Sequence, residues 1–221
     1  WDFSHISGRY EEEERLPWNY KGIILKHLRA DDRLLDIDTG GGEVLLSLGH
    51  HPENTYATEG YPPNYVLCRQ TLEPKGIRLA CVADEDAFPW PDNHFNMVIN
   101  RHGHMNLGEI CRTLKPGGLF ITQQVGEDND RELVELLTPE AEKQFPGMNL
   151  KNQQKLLEQA TASLLRHLFQ FPDKFLRLLV QRLIQRVGIG VRHDPGKYSV
   201  DQKTHDHQQC RRDHRHLDGQ A

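Results

Sequence analysis

The chain has no CxxC pair. Its four cysteines, Cys68, Cys81, Cys111 and Cys210, form no dense framework, which favours a reducing compartment over a disulfide-stapled secreted fold. No apolar run approaches the roughly 20 residues that a bilayer-spanning helix needs. The longest, FLRLLVQRLIQRV at residues 175–187, is interrupted by Arg177, Arg182 and Arg186. The opening WDFSHISGRYEEEERLPW lacks a basic region followed by an apolar core, so a secretory signal is not expected. The expectation is a cytoplasmic protein without a membrane partner. No internal repeat is visible. With 37% hydrophobic and 27% charged residues over 221 positions, the composition excludes a fibrous or wholly disordered chain and suits one compact domain with a small appendage.

Charge is unevenly distributed. The net charge is −5, yet residues 151–192 carry +6, residues 193–221 balance to zero, and residues 1–150 hold −11. A basic later segment is compatible with an anionic acceptor such as RNA, although Lys and Arg that solvate helix faces give the same pattern.

Strand-length apolar runs recur through the first 125 residues: RLLDI at 33–37, TYATE at 55–59, IRLACV at 77–82, NMVIN at 96–100 and GLFITQQV at 118–125. Helical spacing fills residues 20–28, 43–48, 64–72, 107–114 and 131–137 between them. Alternating strands and helices predict an α/β, doubly wound, Rossmann-like and mostly parallel sheet covered by helices on both faces. Beyond residue 140 the character changes. Helices are expected at 149–168 and 174–187, with IGVRH at 189–193 and KYSV at 197–200 as a degraded hairpin at best. Residues 201–221 contain only Cys210, Leu217 and Ala221 as apolar residues, too few to offset the entropy of ordering. The division expected is therefore a core over 1–140 with an N-terminal lid segment, a divergent helical segment over 141–200 that completes or caps it, and a disordered His-rich tail over 201–221.

The chemistry gathers at the ends of the predicted strands. LLDIDTGGGE at 34–43 runs from a buried strand through three glycines into a helix, where a parallel sheet places its ligands. Glu59 ends the second strand, and its carboxylate can accept both hydroxyls of a ribose. Asp86 and Ala87 follow the third strand, where a carboxylate and a backbone N–H suit adenine. Asn100-Arg101-His102-Gly103-His104 follows the fourth. His102 and His104 are candidates for general base or substrate ligand, and Arg101 for holding an anionic acceptor. Trp18, Tyr20 and Trp90 are candidates to line a substrate pocket, although aromatic residues at such places more often pack in the core or a lid. The histidines around Cys210 match no structural zinc spacing, so no metal site is expected.

On the glycine loop, Glu59, DAFPWPDNHFNMVIN and LKPGGLFIT, the sequence resembles a class I S-adenosylmethionine-dependent methyltransferase of the type 11-like kind, over about residues 1–140. The leading WDFSHISGRYEEEERLPWNYKG resembles a bacterial branch of these enzymes. The resemblance implies S-adenosylmethionine as cofactor, held by Asp36, Asp38, Gly40 and Gly42 at the methionine end, Glu59 at the ribose and Asp86 and Ala87 at the adenine. LKPGG is then the helix stop and turn before strand five. The methyl acceptor it leaves open, as a small molecule or RNA.

Two features depart from that pattern. Asp38 stands where the first glycine of the loop motif is usual, and it is expected to weaken cofactor binding. Asn96 stands for the usual Asp after Phe95. A nicotinamide-dependent dehydrogenase is the nearest rival, but Leu45 sits where G-x-G-x-x-G wants its last glycine. A methyltransferase-fold binding or regulatory protein with impaired turnover is the alternative from another class.

Overall fold

A computed structural model describes residues 18–169 except 84, 85 and 144. The expected N-terminal lid, the helix at 174–187, the hairpin at 189–200 and the His-rich tail all lie outside the described residues.

The elements follow the expected order. Helix α1 (Tyr20–His27) leads into β1 (Leu34–Ile37) and α2 (Glu43–Ser47), then β2 (Thr55–Glu59), α3 (Pro62–Thr71) and β3 (Arg78–Cys81). After these come β4 (Phe95–Arg101), α4 (Leu107–Thr113), β5 (Leu114–Gln123), α5 (Arg131–Leu137) and α6 (Leu150–Phe169). The five strands form one all-parallel sheet in the order β3-β2-β1-β4-β5. The chain builds outward from β1 to β3, then crosses back to lay β4 on the other side of β1. The carboxyl ends of β1 and β4 therefore diverge into a crevice, the place such a sheet offers to a ligand.

Strand alternation separates two cores. Leu34, Ala57, Met97 and Ile99 face one side and meet Ile24 of α1, Leu45 of α2 and Cys68 of α3. Leu35, Ile37, Tyr56 and Val98 face the other and meet Ile110 of α4. Phe95 joins this second group although Met97, two residues on, belongs to the first. The reason is a bulge: Asn96 N and Met97 N both donate to Arg33 O, at 2.9 and 3.2 Å, which inserts a residue and flips the face.

LKPGG does not stand before strand five as a separate turn. The α4 helix ends at Thr113, β5 begins at Leu114, and the segment is spliced into the strand as an irregularity. Phe95 pairs with Leu114 and Met97 with Leu119, so Lys115 to Gly118 form an outward loop within the ladder, and Gly117 takes φ +78. Trp90 takes the core role, its ring packing edge-on against Tyr56 and Phe95. Among the described residues, no helix is long and apolar enough to cross a membrane.

Candidate active site

The glycine loop is shaped from both sides. Gly42 caps α2 at φ +83, and a Cβ on it would lie 2.7 Å from Leu72 Cδ2, so this position excludes any side chain. Gly40 donates its N–H to Glu59 Oε2 at 2.8 Å and accepts the Cys68 thiol at 3.0 Å. Burial pushes that thiol up to about 12, helped by the charges of Glu59, Glu43 and Asp36, so Cys68 is a structural donor and not a nucleophile.

Glu59, only 3% exposed, ends β2 beneath this loop. Oε1 accepts Tyr61 N at 2.8 Å, and Oε2 also accepts Asn64 Nδ2 at a longer 3.4 Å. Burial pushes Glu59 up to about 7, against the N–H groups of Tyr61 and Gly40 that favour its charge and with the repulsion of Asp38. Asp36, inside β1, is likewise pushed to about 7 by burial, opposed by the Thr39 hydroxyl that donates to its Oδ2 at 2.7 Å and reinforced by Asp38 and Glu59. Three carboxylates thus share one strand-end region.

Both buried carboxyls keep a proton in the folded protein at pH values where the unfolded chain has lost it. Folding therefore takes up protons between about pH 4 and about 7, and stability falls as pH rises through that window. His94, whose proton affinity burial lowers, works the other way below about pH 6.5, one group against two. The thermal midpoint of the ligand-free protein is expected to drop from pH 5 to 7.5, with each carboxyl costing on the order of 2–4 kcal/mol at the alkaline end. A midpoint that is flat or rising over that range, followed by calorimetry, contradicts the assignment.

Asp38 adopts φ +53, the left-handed region that a glycine enters freely and other residues at some cost. Its Oδ2 accepts His104 N at 3.0 Å, so it ties the β1 loop to the β4–α4 loop. Gly103 is the partner of this arrangement, since a Cβ there would lie 2.6 Å from Asp38 Cβ. Between the loops lies a nearly filled cleft lined by Ile37, Asp38, Thr58, Val82, Phe88 and His104, among others. Small-molecule sites usually enclose about 300–1,000 Å³, so the cleft stands closed and a ligand would have to part the loops.

The predicted site residues divide. Asp38 and His104 line the cleft. Asp86 is half-buried and Ala87 exposed on the loop just past it, where Val82, Ala83 and Phe88 form the wall. Arg101 and His102 are half-buried at the end of β4, and His102 is not among the lining residues. Tyr20 comes close to this end, its hydroxyl donating to Asn100 O at 3.1 Å. Burial and then the charge of Asp36 hold its phenol well above the usual range.

Sequence reasoning missed the residues that brace the site. Asn100 is fully buried and donates to Ile37 O and His104 O, both at 3.3 Å; Thr122 and Gln124 donate to its Oδ1. Arg112 of α4 donates to Glu109, Asp92, Trp90 O and Phe88 O, while Glu109 Oε2 accepts Phe88 N at 2.7 Å. One helix turn thereby fixes the loop carrying the Phe88 wall. Arg112→Ala is expected to lower stability by about 2 kcal/mol and to weaken any ligand of the cleft; unchanged denaturant midpoints would contradict this. Glu109 and Arg112 three apart on a helix face was the available signal, but nothing in the sequence says what they hold.

Residues 35–122 match the family model described as methyltransferase domain. Over that stretch, about two-fifths of its length, the chain is similar to methyltransferases. The demethylmenaquinone methyltransferase of Thermus thermophilus is 30% identical over 136 residues, 54% of this chain and 62% of that protein. A ubiquinone/menaquinone biosynthesis C-methyltransferase of Neisseria meningitidis is 32% identical over 116 residues, 47% of each chain. The chain thus spans about half to three-fifths of the length of these relatives. The YcgJ protein of Bacillus subtilis, 20% identical, superposes with a TM-score of 0.51 over 64% of this chain and 67% of that one, a likeness of fold.

The cofactor that this similarity implies is S-adenosylmethionine, and the donor set of the site fits it. A Cβ on Gly40 would meet nothing within 4 Å, so the loop backbone is approachable. The buried Glu59 carboxylate lies at the end of β2, and Val82 and Phe88 supply apolar wall.

Proposed function

We propose that the protein transfers a methyl group from S-adenosylmethionine to a small-molecule acceptor, with an aromatic ring carbon of a quinol as the acceptor most consistent with its relatives' names. The observation that carries this reading is the Glu59 carboxylate, buried at the end of β2 beneath the glycine loop that follows the neighbouring β1. A carboxylate has about four acceptor positions. Tyr61 N and Gly40 N use two, the long Asn64 contact is easily exchanged, and two remain for ribose hydroxyls. Bound S-adenosylmethionine supplies an electrophilic methyl on a positively charged sulfur. The chain's part is to align the acceptor and keep water out. Asp86 and the Ala87 N–H serve the adenine end, and Asp36, Gly40 and Gly42 the amino-acid end, which Asp38 borders and weakens.

A ring carbon that gains a methyl must lose its proton, which calls for a base. His104, exposed and on the cleft, suits that role, with Arg101 on the acceptor side. The test is transfer of labelled methyl to a demethylmenaquinol-type acceptor, with RNA in parallel. Label in the quinol supports the proposal. Label in RNA alone replaces the acceptor class.

The second reading, a binding or regulatory protein with impaired turnover, is favoured by one feature, the Asp38–His104 bond across the cleft. Saturable cofactor binding without product from any acceptor class would support it.

A further inference from the structure

His102 is held by one residue at two points. Its backbone N–H donates to Gln123 O at 2.9 Å, and its ring Nε2 lies 3.1 Å from Gln123 Nε2. It takes φ +64, a conformation a histidine keeps only where its surroundings impose it. The other end of the Gln123 amide meets the N-terminal segment: Trp18 Nε1 stands 3.2 Å from Gln123 Oε1. Gln123 is buried, at 5% exposure.

The donor chemistry of these three side chains admits one arrangement. An indole N–H donates and never accepts, so the amide atom facing Trp18 must be the oxygen. The amide NH₂ then faces His102 and can only donate, so Nε2 of His102 must accept. A neutral imidazole that accepts at Nε2 carries its proton on Nδ1.

We propose that Gln123, oriented by Trp18, is a positioning residue that fixes His102 as the Nδ1-protonated tautomer. This occupies the Nε2 lone pair. His102 therefore presents Nδ1–H as a hydrogen-bond donor, and the role of base falls to His104, which lines the cleft. Docking of Trp18 thus sets the hydrogen-bonding sense of the imidazole. With Trp18 withdrawn, the amide is free to turn over and present oxygen to Nε2, which moves the proton to that nitrogen. The consequence for methyl transfer rests on the function proposed above; the tautomer does not.

The test is ring ¹⁵N NMR of the full-length, ligand-free protein near pH 8, with the His102 signals assigned by their loss in His102→Ala. The parent is expected to show protonated Nδ1 and unprotonated Nε2. In Gln123→Glu, an acceptor-only side chain faces the ring, and the proton is expected on Nε2. Trp18→Phe, further from the core, should give a mixture of the two forms and serves if Gln123→Glu does not fold. A parent protonated at Nε2, or a Trp18→Phe spectrum identical to the parent's, overturns the proposal. Because no cofactor or acceptor is present, neither result depends on whether the protein turns over.

Discussion

Glu59→Ala is expected to weaken S-adenosylmethionine binding about 100-fold, or ~2.7 kcal/mol, as hydrogen bonds to a charged acceptor are lost. The side chain has two tasks that this variant separates. Toward the ligand it offers its remaining acceptor positions. Toward the protein it receives Gly40 N and Tyr61 N, and so sets the height of the glycine loop. Both losses weaken binding, but only the second touches the unliganded fold. Removal of a carboxyl that burial holds near pH 7 also flattens the fall in stability with rising pH, because one of the two groups responsible is gone. Calorimetric titration and thermal scans at pH 5 and 7.5 read the two effects separately. Affinity within threefold of the parent would remove Glu59 from the cofactor site.

Asp38→Gly is expected to act in the opposite direction, tightening S-adenosylmethionine about tenfold or more. Three contributions agree in sign. A glycine accepts φ +53 without the ~1 kcal/mol cost that a side chain meets there. Loss of the carboxylate removes repulsion of the ligand's own carboxylate and of Asp36 and Glu59, whose proton affinities Asp38 raises. Loss of the bond to His104 N releases the two loops that narrow the cleft, so less binding energy is spent on opening it. The same relief is expected to raise the thermal midpoint at pH 7.5. Unchanged or weaker binding by Asp38→Gly would mean that the carboxylate contributes to the ligand site as it stands.

Much of the fold was legible because the sheet is buried on both faces. TYATE falls on β2, Thr55–Glu59, residue for residue, and is buried at every position, its threonines and Glu59 included. The helices at 131–137 and 107–113 were visible in their apolar spacing. LKPGG misled for a physical reason. Its proline and glycines do turn the chain, but the flanking residues Leu114 and Leu119 both pair with β4, and pairing across a gap has no local signature. For Trp90, core packing outweighs a pocket role in the sequence alone, and Tyr56 and Phe95 enclose it accordingly.

At the site, the glycine loop and Glu59 were legible from their places at strand ends. Asp38 was recognisable as a departure, and the structure adds its mechanism, a left-handed backbone and a bond across the cleft to His104. The supporting residues were not legible. Asn100, Gln123 and Gln124 look like ordinary polar residues at the ends of strands, and only the sheet order brings them beneath the β4–α4 loop. The difference between His102 and His104 is likewise tertiary: one is pinned to β5 and the other faces the cleft.

The central claim is a cofactor site at the carboxyl end of this sheet, built on Glu59 and narrowed by Asp38. Its most direct test is calorimetric titration of the parent, Asp38→Gly and Glu59→Ala with S-adenosylmethionine and S-adenosylhomocysteine under one buffer condition. The account predicts saturable binding by the parent, tighter binding by Asp38→Gly and about 100-fold weaker binding by Glu59→Ala. Folded parent and folded Asp38→Gly that both fail to bind either ligand would contradict it.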